Sequence, residues 1–154
     1  MQFVGESHSI ARLILENLSN ALGLEGVERF ESQHQAGLSS TSTAILQYYP
    51  YDIDGLEHMN ISNNMSSDVG SIAIRFMEGW EFQVGSPSDE KLEYIQITKG
   101  DFAMITIGDA LQALSGSKLR SCPHRVVPWR VGDRADSKYA TMFLLRPNSD
   151  VELI

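Results

Sequence analysis

From Thr43 to Leu145 the apolar residues no longer recur at helical spacing, and Gly, Pro, Asp and Ser clusters cut them into short blocks. Those blocks are Thr43 to Tyr49 (stopped by Pro50), Ser71 to Phe76, Glu81 to Val84, Glu93 to Thr98, Phe102 to Ile107, Val126 to Val131 and Tyr139 to Leu145. Short strands with turn residues between them predict a sheet sandwich or barrel. The start of the chain reads differently. Ile10, Leu13, Ile14, Leu18, Ala21 and Leu22 fall on one face of a helix, with Ser7 or Ser9 as its cap and Gly23 as its end. Val27 to Gln33 is consistent with a short second helix. The polar stretch from Pro50 to Asp68, with Asn60, Asn63 and Asn64, reads as a long loop, a length at which loops often carry function.

At 154 residues the chain is one domain by length, with residues 1–35 helical and 43–147 the β core. Its net charge of −8, with only 12 Lys and Arg, argues against nucleic acid or an anionic membrane surface as a partner, because both need clustered positive charge. Cys122 is the only cysteine, so neither an intrachain disulfide nor a cysteine zinc site is available. The opening Met1-Gln-Phe-Val-Gly-Glu-Ser-His lacks a basic region leading into an apolar run, and a cytoplasmic setting is expected.

Several short motifs follow one another in order. Ile45-Leu46-Gln47-Tyr48-Tyr49-Pro50 comes first, then Asp68-Val69-Gly70-Ser71-Ile72-Ala73-Ile74 and Gly79-Trp80-Glu81-Phe82-Gln83-Val84. After them stand Gly108-Asp109-Ala110-Leu111-Gln112-Ala113-Leu114-Ser115, His124-Arg125-Val126-Val127 and Phe143-Leu144-Leu145-Arg146-Pro147. Together they resemble the C-terminal core of the non-haem iron, 2-oxoglutarate-dependent dioxygenases, in the branch that includes isopenicillin N synthase. The resemblance covers residues 10 to 147 and is strongest from Ser66 onward. It implies an all-β core of the double-stranded β-helix type (a cupin-like jelly roll) with one or two N-terminal helices. Family members also carry a long N-terminal half without a match here. The resemblance therefore implies a core covered in another way, or a homodimer through the face so left.

In that family two His and one carboxylate hold ferrous iron on one face, and an Arg with a Ser hydroxyl grips the far carboxylate of 2-oxoglutarate. By resemblance, His124 matches the distal His and Asp68 the carboxylate. The proximal His position is Ser66, and a serine hydroxyl is a poor iron ligand at neutral pH. The co-substrate Arg matches Lys138, which keeps the charge and loses the fork; the Ser matches Ala140, which has no hydroxyl. An Asn-x-Tyr of the first core strand reads Gln47-Tyr48-Tyr49. His58 has the right ring in the wrong place, and its simpler reading is a solvated loop residue. His8 and His34 read as surface or cap residues, Cys122 as an inert thiol, and Trp129 and Arg130 as a lid or surface patch.

The resulting expectation is a degenerate family member that needs neither iron nor 2-oxoglutarate and binds a small, largely apolar molecule. As an enzyme it would be a cofactor-independent cyclase or isomerase of specialised metabolism. Candidate catalytic residues are His124, Asp68 and Lys138; Tyr49, Ser66, Gln47, Phe76 and Met104 are candidate substrate contacts. His124 keeps two readings: a vestigial core histidine, or a working dyad in which Asp68 orients the ring and raises its basicity. Tyr49, Trp80, Phe76, Met104 and Phe143 are expected to line or support the barrel interior. Two alternatives stand beside this: an active Fe(II)/2-oxoglutarate oxygenase with an atypical site of Asp68, His124 and water or His58, and a non-catalytic binding or regulatory dimer.

Overall fold

Small residues set the first packing interface. In helix α1 (Gln2–Ala21) the buried positions are Ser7, Ala11, Leu15 and Ser19, one ridge at spacing four that lets the helix approach a sheet closely. Ile14, Leu18 and Leu22 flank that ridge, whereas Ile10 and Leu13 are exposed. The buried stripe is thus rotated from the one the apolar spacing suggested. The helix also starts earlier than expected, so Ser7 and Ser9 lie inside it and cap nothing; the Ser9 hydroxyl donates back to the Gly5 carbonyl at 2.9 Å. Gly23 ends the helix region in a left-handed conformation, φ +66°.

The computed structural model describes residues 2–49, 65–77, 80–85, 92–97, 103–128 and 138–153. In place of one second helix there are two 3-10 turns, Gly26–Glu28 and Phe30–Gln33. Ser19 ties the second to α1: its hydroxyl accepts from the Phe30 amide and donates to Glu31 Oε2, both at 2.9 Å. Most of the expected long loop, residues 50–64 with His58, lies outside the described residues, as do Trp129 and Arg130.

All seven expected strands are present, the first at its expected bounds and the others with shifted ends: β1 (Thr43–Tyr49), β2 (Ile72–Met77), β3 (Trp80–Gly85), β4 (Leu92–Ile97), β5 (Met104–Ile107), β6 (His124–Pro128) and β7 (Lys138–Leu145). They form two antiparallel sheets, ordered β1-β7-β2-β5 and β4-β3-β6, the two layers of a double-stranded β-helix. A short helix α2 (Asp109–Leu114) follows β5; periodicity had assigned no element there, because six residues are too few for a helical repeat to show.

Alternation along β2 separates two environments. Ile72 and Ile74 join Phe143 and Leu145 of β7, and with Ala11, Leu15, Phe30 and Leu111 they make the core beneath α1. Ala73 and Arg75 turn the other way, towards the three-stranded sheet. Phe76 is on the α1 side, 39% exposed, with its ring edge-on to Phe3 at 5.8 Å. Its expected place inside the barrel is therefore wrong by one step of the alternation. Phe143 does support the fold, but from the core under α1.

Candidate functional site

Backbone contacts fix Asp68 before any side chain does. The loop from Ser66 to Ser71 lies against the start of α2, where the amide of Asp109 donates to the Asp68 carbonyl at 2.7 Å and that of Ala110 to the Gly70 carbonyl at 3.1 Å. The Gly108 amide adds a bond to the Ser71 carbonyl at 3.1 Å. Free donors of a helix's first turn are thus satisfied by the loop. The approach is close enough to require glycine twice. A Cβ at Gly108 would collide with the carbonyl oxygens of Gly70 and Asp68, and one at Gly70 would lie 2.6 Å from the Leu145 carbonyl oxygen.

Asp68 so held turns its carboxylate onto two partners. Oδ1 pairs with Arg75 Nη2, and Oδ2 accepts from the Thr106 hydroxyl at 2.7 Å. Arg75 Nη1 donates to the same Thr106 oxygen at 2.8 Å, which closes a ring of three side chains. The register explains the meeting. Thr106 stands opposite Ala73 in the β2–β5 pair, diagonal to Arg75 and on the same face. On its other side Arg75 Nη2 reaches His124 Nε2 at 3.1 Å. Phe82 stacks on the imidazole, centroids 4.5 Å apart, and the Arg75 guanidinium carbon lies 5.9 Å from the same ring.

The hydrogen bonds assign the imidazole tautomer. Nδ1 lies 2.7 Å from the Cys122 carbonyl, which only accepts, so Nδ1 carries the proton and Nε2 accepts from Arg75. Burial pushes the His124 pKa below its usual value; the neighbouring Arg75 charge acts the same way, while the Cys122 carbonyl and Asp68 oppose it. This corrects the dyad reading. No hydrogen bond joins Asp68 to His124; Arg75 bonds to both, the Cys122 carbonyl bonds the ring's Nδ1, and the net effect lowers its basicity. The Cys122 thiol is half-buried, and burial raises its pKa, away from the thiolate a nucleophile needs.

The other candidates divide. Gln47 borders a cavity of about 50 Å³ with Met77, Val126, Ala140 and Met142, and Arg75 forms part of its wall. Met104 stands directly across from Arg75 in the β2–β5 pair. Ser66 pairs with His124 through two backbone hydrogen bonds of 3.0 Å, and it is exposed. Tyr49 pairs with Lys138, two residues along from the Gln47–Ala140 pair; the side chains of Tyr49, Lys138 and Trp80 lie outside the described residues. Phe76 does not reach the site. Sequence reasoning missed Arg75 and Thr106. One signal was available for the first: a lone cation in the apolar run Ile72-Ala73-Ile74-Arg75-Phe76 must find a partner if the strand is buried.

Iron needs open donors on one face. Here one Asp68 oxygen is paired with a guanidinium, the other holds a hydroxyl, His124 Nε2 faces a cation, and the residue across from His124 is a serine. Among the described residues no three His, Cys, Asp or Glu converge as a metal cluster. This donor set does not fit ferrous iron. At Ala140, where the resemblance puts the Ser that helps hold 2-oxoglutarate, there is no hydroxyl.

No protein-family profile matches the chain. It is 36% identical over 148 residues to the 2-oxoglutarate-dependent dioxygenase iboH of Amanita muscaria, covering 96% of this chain and 70% of that protein. It is 34% identical over 152 residues to the 2-oxoglutarate-dependent dioxygenase FG08081 of Gibberella zeae, covering 98% of this chain and 44% of the relative. Among solved structures, a 2OG-Fe(II) oxygenase family protein from Caulobacter crescentus superposes with a TM-score of 0.78 at 22% identity, over 99% of this chain and 48% of the other. A full-length Neurospora crassa protein, solved with alpha-KG and 5-formyluracil, gives 0.77 at 22% identity, over 97% and 48%. The chain therefore spans about half the length of most of these proteins.

Proposed function

The chain belongs to the 2-oxoglutarate-dependent dioxygenases, and from that premise we propose that it is a member that works without iron and 2-oxoglutarate, as a receptor for a small, largely apolar molecule. The observation that carries this is the guanidinium of Arg75 set between Asp68 and His124. Ser66 and Ala140, where the family's chemistry asks for His and Ser, point the same way. The cavity beside Arg75 is the seed of that pocket: its walls are mostly aliphatic and thioether with a few polar groups, and at about 50 Å³ it must widen to admit more than a few heavy atoms. Met lining suits an irregular ligand because the side chain adapts its shape.

If the molecule is an enzyme, its reaction class under this proposal is cyclisation or isomerisation. Such chemistry draws on enclosure, alignment and a fixed cation, with no electron transfer. His124 then serves as a neutral support behind Arg75, outside the cavity lining, since its Nε2 lone pair is already engaged. Among the described residues no helix is long and apolar enough to cross a membrane; a cytoplasmic setting belongs to this same proposal.

The test is direct. Purified protein with Fe(II), ascorbate and 2-oxoglutarate should form no succinate above background. A panel of small neutral apolar compounds should contain some that raise its melting temperature, and Met142→Trp, which fills the cavity, should abolish that rise. Stoichiometric coupling of 2-oxoglutarate loss to succinate would sink the proposal.

A further inference from the structure

We infer that Arg75 is a built-in replacement for a metal cation: its guanidinium occupies the position where Asp68 and His124 would otherwise share a divalent ion. The inference deepens the iron-independent reading above and rests on it.

Three features distinguish this from an ordinary buried ion pair. First, the two groups facing the guanidinium are a carboxylate and the lone pair of a neutral imidazole. Those are metal-donor atoms, and the imidazole is held in the metal-donor tautomer by the Cys122 carbonyl on Nδ1. Second, the supporting contacts act on both donors. Thr106 bonds Asp68 Oδ2 at 2.7 Å, as an outer hydroxyl does for a ligating carboxylate, and Phe82 stacks on the imidazole. Third, the missing donor and the added cation are complementary. Ser66 lies directly across the antiparallel bridge from His124, so its side chain is on the same side of the pair. A histidine there would put a second imidazole beside the first, two residues from Asp68. The chain has a hydroxyl at that place and an arginine on the neighbouring strand β2.

Two substitutions should therefore open a metal site, and neither should suffice alone. Arg75→Leu removes the internal cation, Ser66→His supplies the third donor, and the double variant carries both. The probe is Co(II) alone, followed by its visible ligand-field bands and by equilibrium dialysis. The wild type should show no saturable Co(II) binding. Each single variant should bind weakly, and the double variant should bind stoichiometrically and about 10- to 100-fold more tightly than either. Three results would overturn the inference: binding by Ser66→His as tight as by the double variant, binding by Arg75→Leu as tight as by the double variant, or none by a folded double variant. Stoichiometric Co(II) binding by the wild type would instead remove the iron-independent reading, and this inference with it. Should the double variant not fold, melting temperatures decide: Arg75→Met should lower the wild-type value and Asp68→Asn/Arg75→Met should restore most of it. A drop that the second substitution leaves unrestored counts against Arg75 as the cation for Asp68.

Discussion

Among the described residues two histidines are buried, one on either side of the four-stranded sheet, and the pair is instructive because half of each environment is the same. His34, under α1, holds Nδ1 against the Phe30 carbonyl at 2.6 Å; His124, between the sheets, holds Nδ1 against the Cys122 carbonyl at 2.7 Å. Both rings are thereby fixed in one tautomer with Nε2 free to accept. The difference is what Nε2 meets. His34 accepts from the Ser71 hydroxyl at 2.7 Å, and its bonding is complete with neutral partners. His124 meets a guanidinium tied to a carboxylate. One histidine is a rivet between the Phe30–Gln33 turn and the entry to β2. The other is part of a charge-balanced cluster, and a change in any member must be answered by another.

The sharpest way to break this contrast is to unbalance the cluster. Arg75→Met leaves the Asp68 carboxylate buried with only Thr106, and should cost about 3–5 kcal/mol in urea unfolding at neutral pH. Adding Asp68→Asn should return most of that loss, because the uncompensated charge is then gone. If the two losses simply add, Asp68 and Arg75 do not act as one charge-balanced unit.

Lowering the pH tests the rivet. Burial holds His34 at a pKa of about 4, below its ordinary 6.5. Below pH 6.5 the unfolded chain takes up a proton that the native ring refuses, so stability is full above that range and falls as the pH drops towards 4. The loss should reach about 3 kcal/mol by pH 4. His124, also depressed, adds to it in the same direction. His34→Gln should be less stable at pH 7 and show a flatter profile between pH 7 and 4; an unchanged slope would show that His34 is not the group responsible.

A smaller effect addresses the frame shared by both. Gly108→Ala forces a methyl against the Gly70 and Asp68 carbonyls and should cost about 2 kcal/mol, with loss of amide exchange protection at Asp109 and Ala110. Phe76→Ala should be the mildest, about 1 kcal/mol, since that ring is partly exposed and outside the barrel; a larger loss, or a change in ligand binding, would return it to the interior.

The strands were legible because alternation and turn residues are local signals. Asp68 and His124 were legible because their motifs place them. What escaped were partnerships across long separations. His34 reads as a surface residue in Glu31-Ser32-Gln33-His34, and only the fold brings Ser71 to it. Thr106 is one more β-branched residue in Met104-Ile105-Thr106-Ile107 until the register sets it diagonal to Arg75. Phe76 failed for a different reason: alternation tells which residues share a face, but not which face looks inward. On α1 the eye follows Ile10 and Leu13, whereas close approach to the sheet favours the ridge of Ser7, Ala11 and Ser19.

The clasp between α2 and the Asp68 loop has a consequence for redesign. The amides of Asp109 and Ala110 hold the main chain of Asp68 and Gly70, so the backbone of the seat is fixed by contacts that no side chain of the cluster makes. A scaffold built this way separates shape from occupant. Its furnishings are exchangeable as balanced sets: a laboratory that removes one charge and supplies its counterpart can ask what each set lets the barrel do, with the backbone of the seat already in place.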